Sequence, residues 1–344
     1  MTVLASGSKG NSTVIASSRT RILVDAGLSC RELLKRLAAA GEDPAELTAI
    51  LITHEHQDHV AGLAVLARRL KIPVFFTEST HRAWVRMLTP RTTMSYAKWL
   101  EHVQAEKEER ARAVAAAEAS VEPMSQNRDM GHPDSRSGEG IELSGEADPD
   151  FELPVEAEEP CETNETRVAA KADPTFLPEV EYFRAGHQFC IGDIDIDPFT
   201  IPHDAADPCG FVFHARAESV RMAVATDLGY IPPNVKQALR GVDVLLLESN
   251  HDLEMLKDGP YPWSVKQRVL SRVGHLSNHA AAEFLLRDYD GGAHTIVLGH
   301  LSESNNLPEL AKLSAEQAIG ERMTLLGNRI VLAAQHEALE PICL

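Results

Sequence analysis

The stretch Ala49-Ile50-Leu51-Ile52-Thr53-His54-Glu55-His56-Gln57-Asp58-His59 decides how this chain is read. Its first four residues are apolar and of strand length, and Val60, Leu63, Ala64, Ala67 and Leu70 then recur at helical spacing. Three imidazoles and a carboxylate therefore fall on a strand-to-helix connection, where a rigid scaffold presents a short loop. Imidazole with carboxylate suits zinc, manganese or iron, and a cluster with more than three donors can serve two ions. A polar helix start capped by Asp58 would explain the acid but not three clustered histidines.

The spacing H-x-H-x-D-H resembles the signature of the metallo-β-lactamase superfamily, a two-metal fold. The resemblance implies further ligands in a fixed order, and the chain supplies a candidate for each. Ile201-Pro202-His203-Asp204 follows a strand-like run, so His203 is the expected third ligand of the first metal. Met222-Ala223-Val224-Ala225-Thr226-Asp227 closes an apolar run with an acid, so Asp227 is the expected bridge. Thr295-Ile296-Val297-Leu298-Gly299-His300 closes another with an imidazole, so His300 is the expected last ligand. The implied sets are His54, His56 and His203 on one ion and Asp58, His59 and His300 on the other, sharing Asp227. The implied fold is α/β, an αββα sandwich of two facing sheets with helices outside.

Composition narrows the setting. The 344 residues are 44% apolar, as a globular core requires, and no stretch has the length and apolarity of a membrane span. The start Met1-Thr2-Val3-Leu4 is strand-like rather than a signal sequence, and a cytoplasmic location without membrane contact is expected. Five scattered cysteines, Cys30, Cys161, Cys190, Cys209 and Cys343, lack C-x-x-C spacing and read as reduced thiols. Of the net charge of −18, residues 101–175 carry −13 (20 acids, 7 bases) and everything else −5. Two divalent ions in the cleft would offset that remainder locally, so an anionic substrate is permitted.

The acidic stretch is also the main compositional break. A helix-prone part from Glu106 gives way, between about Ser120 and Pro174, to Glu, Asp, Ser, Gly and Pro. Such a segment buries too little apolar surface to offset its chain entropy, so 101–175 reads as a largely disordered insertion within one domain of 1–344. It is a tolerated surface insertion or a tether for a protein partner. Outside it, strands are expected near 1–5, 12–16, 21–25, 49–53, 72–76, 189–191, 194–199, 210–214, 221–226 and 242–247. Helices are expected at 31–40 with Ser29 as cap, 264–272, 277–287 and 307–319, the last opened by Asn306.

Further motifs narrow the resemblance. Leu4-Ala5-Ser6-Gly7-Ser8-Lys9-Gly10-Asn11-Ser12, Pro202-His203-Asp204-Ala205-Ala206-Asp207-Pro208, Leu247-Glu248-Ser249-Asn250-His251-Asp252 and Gly274-His275-Leu276-Ser277-Asn278 are similar to the YycJ/WalJ family of this fold. That family implies a nuclease, with 5'-to-3' DNA exonuclease activity and a DNA repair role. Redox members of the superfamily carry Glu where His56 stands here. Glu248 and Gly274-His275-Leu276-Ser277 are also similar to elements of the ribonuclease Z branch, which implies that His275 donates a proton to the leaving group while Glu248 orients it. Otherwise His275 would be a helix cap. Asp58, Glu248 and His275 are thus the expected catalytic residues.

The serine and glycine loop Ser6 to Asn11 reads as a tight turn, with phosphate contact through its amides as the second reading. Lys266, Arg268 and Arg272 read as a solvated basic face or as contacts to a nucleic-acid backbone. Trp263 and Tyr261 either stack on bases or pin a loop. The expected activity is hydrolysis of phosphodiesters, with DNA as the substrate partner, two zinc or manganese ions, and a metal-bound hydroxide as nucleophile. A small-molecule hydrolase acting on a lactone, thioester or cyclic phosphodiester is the competing enzyme. A metal-stabilised binding protein without catalysis is the competing class.

Overall fold

The structure is a computed structural model that describes residues 1–89, 173–320 and 327–344. Met1–Pro90 and Lys171–Leu344 form one unit. The acidic segment, with its expected disorder and its helix-prone stretch, lies outside the described residues.

The apolar runs become two sheets. The first holds β1 (Thr2–Ala5), β2 (Ser12–Ala16), β3 (Arg21–Val24), β4 (Ala49–Leu51), β5 (Val74–Phe76) and β6 (Val180–Tyr182) in that spatial order. The second holds β7 (Phe189–Ile191), β8 (Ile194–Thr200), β9 (Cys209–Ala215), β10 (Val220–Ala225), β11 (Val244–Glu248), β12 (Thr295–Gly299) and β13 (Arg329–Leu332), again in sequence order. Strands β3 to β6 run parallel, as do β10 to β13, so each sheet gathers several strand ends along one edge.

Because side chains alternate across a strand, each buried strand feeds two cores. Ile22, Val24 and Leu51 face Ile196, Phe211, Met222, Val224 and Leu246 between the sheets. Leu23 and Ile50 point the other way and pack under α1 (Cys30–Ala39), α3 (Leu63–Leu70) and α4 (Glu78–Leu88). Leu245, Leu247, Ile296 and Leu298 pack under α5 (Pro233–Ala238), α8 (Asn278–Arg287) and α9 (Pro308–Ile319). Helix, sheet, sheet and helix are therefore stacked as expected. Burying one such leucine is worth roughly 1.5–3 kcal/mol. Among the described residues no helix is long and apolar enough to cross a membrane.

Most expected elements form near their expected bounds, and Ser29 caps α1 by accepting from the Glu32 amide. Three details differ. The helix after the histidine motif is broken into α2 (Gln57–Val60) and α3, and His56, not Asp58, is the N-cap of α2. Helix α9 has Leu307 as its N-cap, because the Asn306 amide is turned inward to the carbonyls of Ser249 and Asn250. The short β6, β13, α4, α5 and α6 (Leu253–Asp258) had no expectation.

Candidate metal centre

The site is built at the ends of β3, β4, β10, β11 and β12, which deliver Asp25, His54, Asp227, Glu248 and His300 to one edge. Three of the five side chains sit in left-handed backbone: Asp25 at φ 61°, Asp227 at φ 61° and His300 at φ 55°. That conformation costs a non-glycine residue about 1–2 kcal/mol, so packing holds these side chains where the relaxed chain would not.

His54, His56 and His203 bring one nitrogen each to a common point, and so do Asp58, His59 and His300 with one donor atom each. Asp227 lies between the groups. Its Oδ2 is 3.3 Å from His59 Nε2, and its Oδ1 is 3.2 Å from His300 Nδ1 and 3.9 Å from His203 Nε2. Every expected ligand is thus brought to one place, and all but His56 and Asp58 are buried.

Hydrogen bonds fix which imidazole nitrogen faces inward. His203 Nδ1 lies 3.2 Å from the Gly274 carbonyl, so its proton sits there and Nε2 keeps its lone pair. His56 Nε2 lies 3.2 Å from the Asp204 carbonyl, which frees Nδ1. Those two freed nitrogens face each other at 3.2 Å. Two lone pairs at that separation repel unless a cation accepts both. His54 Nε2 and Asp227 Oδ2 are buried with no hydrogen-bond partner, a costly arrangement for a dry site and the natural one for metal donors. The residues present therefore fit a divalent pair.

Electrostatics points the same way. Burial and the nearby His59, His203 and His56 hold His54 well below the usual histidine range, so its ring is neutral, as a metal donor must be. Burial opposes a charge on His59, yet Asp227, Asp58 and Asp25 outweigh it and push its pKa well up. His300 behaves likewise, with Asp227, Asp58 and Glu248 overcoming burial. The carboxylates draw positive charge into the centre, and protons are only one way to supply it.

Glu248 is fully buried, and the facing His275 and His300 overcome burial to keep it ionised. Its Oε1 lies 2.8 Å from His275 Nδ1 and 3.0 Å from His300 Nδ1, while Oε2 accepts the amides of Leu228 and Leu276. His275 Nδ1 is thereby occupied and its Nε2 is left free of Glu248. Helix α8 is capped by Ser277, which accepts from the Ala280 amide, so His275 is not the cap.

Several residues at the site had no expectation. Asp25 is 2.8 Å from His59 Nδ1 and accepts the Thr53 amide and hydroxyl, while Thr53 Oγ1 in turn lies 3.0 Å from His54 Nδ1. One acid thus orients two candidate ligands, and such partners tune metal affinity. The signal was present in Leu23-Val24-Asp25, an apolar run closed by an acid as at Asp227. Asn11 donates to Asp58 Oδ2 at 3.2 Å, and Ser6 Oγ accepts the His300 amide at 2.7 Å. His251 is buried beside Glu248 and His275, and burial lowers its pKa to about 4.

The loop from Ser6 to Asn11 is a turn most of whose amides are already used. Gly7 N donates to Asn11 Oδ1, Lys9 N to Gln335 Oε1, and Asn11 N to the Asp58 carbonyl, so those groups are not open to phosphate. Gln335 also donates to the Gly10 carbonyl, and its own carbonyl accepts from the buried Arg36. Gly27 lets the turns meet, since a Cβ there would lie 1.7 Å from the Asp58 carbonyl oxygen.

Residues 5–300 match the Metallo-beta-lactamase superfamily. The chain belongs to that superfamily. Exodeoxyribonuclease YycJ of Bacillus anthracis is 30% identical over 93% of this chain and 89% of its own length. Exodeoxyribonuclease WalJ of Streptococcus pneumoniae is 30% identical over 91% of this chain and 85% of its own. The metallo-beta-lactamase fold protein YhfI from Bacillus subtilis has a TM-score of 0.55 at 13% identity, over 99% of this chain and 98% of that one, a likeness of fold. This metallo-beta-lactamase superfamily chain is a metal-dependent hydrolase, and its resemblance to the YycJ/WalJ family runs over about nine-tenths of its length.

Proposed function

We propose that this protein is a two-metal deoxyribonuclease that removes nucleotides from a DNA end, with 5'-to-3' polarity. The observation that carries the reading is the pairing of a two-ion donor set with a separate proton donor, His275, held by the buried Glu248. His54, His56 and His203 are assigned to one ion, Asp58, His59 and His300 to the other, and Asp227 to both. When bound, the ions supply Lewis-acid charge at a phosphoryl oxygen and lower the pKa of a coordinated water. Asp25 and Thr53 keep His59 and His54 in the required tautomers. His275 Nε2 gives its proton to the departing deoxyribose oxygen, and Glu248 stabilises the charge on the ring before that transfer.

DNA as substrate rests on the names of the two bacterial relatives, and with it go the readings of cytoplasmic location and a role in repair. Zinc follows from the histidine-rich donor set, with manganese as the alternative. Residues 101–175 are read as an insertion in a single domain.

The test is a panel of end-labelled single-stranded DNA, duplex DNA, RNA and small esters, with zinc or manganese added to metal-stripped protein. Stepwise shortening of DNA from the 5' end is expected. Turnover of lactones or thioesters with no attack on DNA would overturn the reading.

A further inference from the structure

The helix α7 (Trp263–Val269) has no buried residue, an unusual state for an element only seven residues long. It is held by its ends instead. The Lys266 ammonium donates to the Lys257 carbonyl, Arg268 pairs with Asp204 at 2.5 Å, and the His275 amide donates to the Val269 carbonyl. The following turn is pinned as firmly: the Asp204 amide donates to the Val273 carbonyl, and a Cβ on Gly229 would lie 2.2 Å from the Arg272 carbonyl oxygen. The segment is therefore a rigid shelf that runs directly into His203, Asp204 and His275.

The shelf exposes large apolar side chains together with cations. Trp263 is 65% exposed, so it pins no loop, and Leu270 and Val273 are 43% and 44% exposed. From Tyr261 to Ser277 there is no acid, but there are three cations, in a chain of net charge −18. Arg268 is neutralised by Asp204, whereas Lys266 bonds a carbonyl and the Arg272 guanidinium lies 4.4 Å from the centre of the Tyr230 ring. Indole, guanidinium and ammonium beside a phosphodiester site match a polyanion with flat, accessible bases. A duplex presents its charge but hides the base faces.

We propose that α7 and the turn to Gly274 form a platform for an unpaired nucleic-acid end, with Trp263 stacked on a base and Lys266 and Arg272 on backbone phosphates. This rests on the nuclease reading and deepens it: the strand is engaged single-stranded, so a duplex must fray or carry an overhang before its end reaches His275.

The test is fluorescence anisotropy of the full chain with a labelled, phosphorothioate oligothymidylate and with a blunt hairpin duplex of the same backbone. Trp263→Ala is expected to weaken single-strand binding about 10- to 100-fold, the scale of one base stacked on an aromatic ring. Trp263→Phe should restore most of it, and hairpin binding should change less than about twofold. Lys266→Ala with Arg272→Ala should reduce the slope of log Kd against log salt by about 1.4, two single-strand phosphate contacts. Unchanged oligothymidylate binding in Trp263→Ala, equal losses on hairpin and single strand, or no binding by the wild-type chain would each overturn the platform. Digestion of DNA by a wild-type chain whose binding ignores Trp263 would sink the platform alone. Tight, Trp263-dependent binding with no digestion would sink the nuclease reading alone.

Discussion

At the scale of single residues, Glu248 holds two histidines with different proposed duties, and this separates two substitutions that look alike. His275→Ala removes the proposed proton donor without touching a proposed ligand. It is expected to retain both metals and to lose about 10²- to 10⁴-fold in turnover on a dialkyl phosphodiester, but far less on a nitrophenyl ester whose leaving group needs no proton. Glu248→Gln also frees His300, 3.0 Å away, so it should in addition weaken one metal about 10- to 100-fold. Metal analysis alongside the two rates checks both, and equal losses on both substrates in His275→Ala would remove it from the role of acid. Asp25→Asn makes a related point, because asparagine tolerates left-handed backbone. Stability should be nearly kept while metal affinity falls about 10- to 100-fold, read by competition with a chelator. Unaltered affinity would mean that the bond to His59 does not tune the site.

At the scale of elements, the strand ends were legible and the supports were not. Apolar runs closed by a ligand residue, as at His54, Asp227 and His300, carry their meaning within six or so residues, so they could be read directly. Asp25 closes a similar run but resembles an ordinary turn acid until Thr53 and His59 are folded against it. The three-residue β6 and the six-residue α5 are too short for periodicity to register. The inward turn of Asn306 depends on Ser249 and Asn250, more than fifty residues away in sequence. The strands also fix where energy resides. Leu245 in β11 is fully buried beneath α5 and α8, so Leu245→Ala is expected to cost about 2–5 kcal/mol in denaturant titration. A loss under about 1 kcal/mol would mean that the outer core is loosely packed.

At the scale of the whole molecule, the two stretches that flank the acidic segment build one unit by themselves. Excising residues 106–172 with a short Gly-Ser bridge is therefore expected to leave metal stoichiometry and hydrolysis of a small phosphodiester unchanged, and an excised chain that fails to fold would make that segment part of the fold. The same unit is closed by contacts that its sequence separates widely. Gln335 clamps the turn that carries Ser6 and Asn11, joining positions 326 residues apart. A ribosome adds about 5–20 residues per second, so on the order of half a minute passes between emergence of the turn and arrival of its clamp. The turn beside the metal centre is then clamped only after Gln335 has emerged. Ribosome-stalled chains ending before Gln335 should therefore take up no stoichiometric metal until they are extended past it.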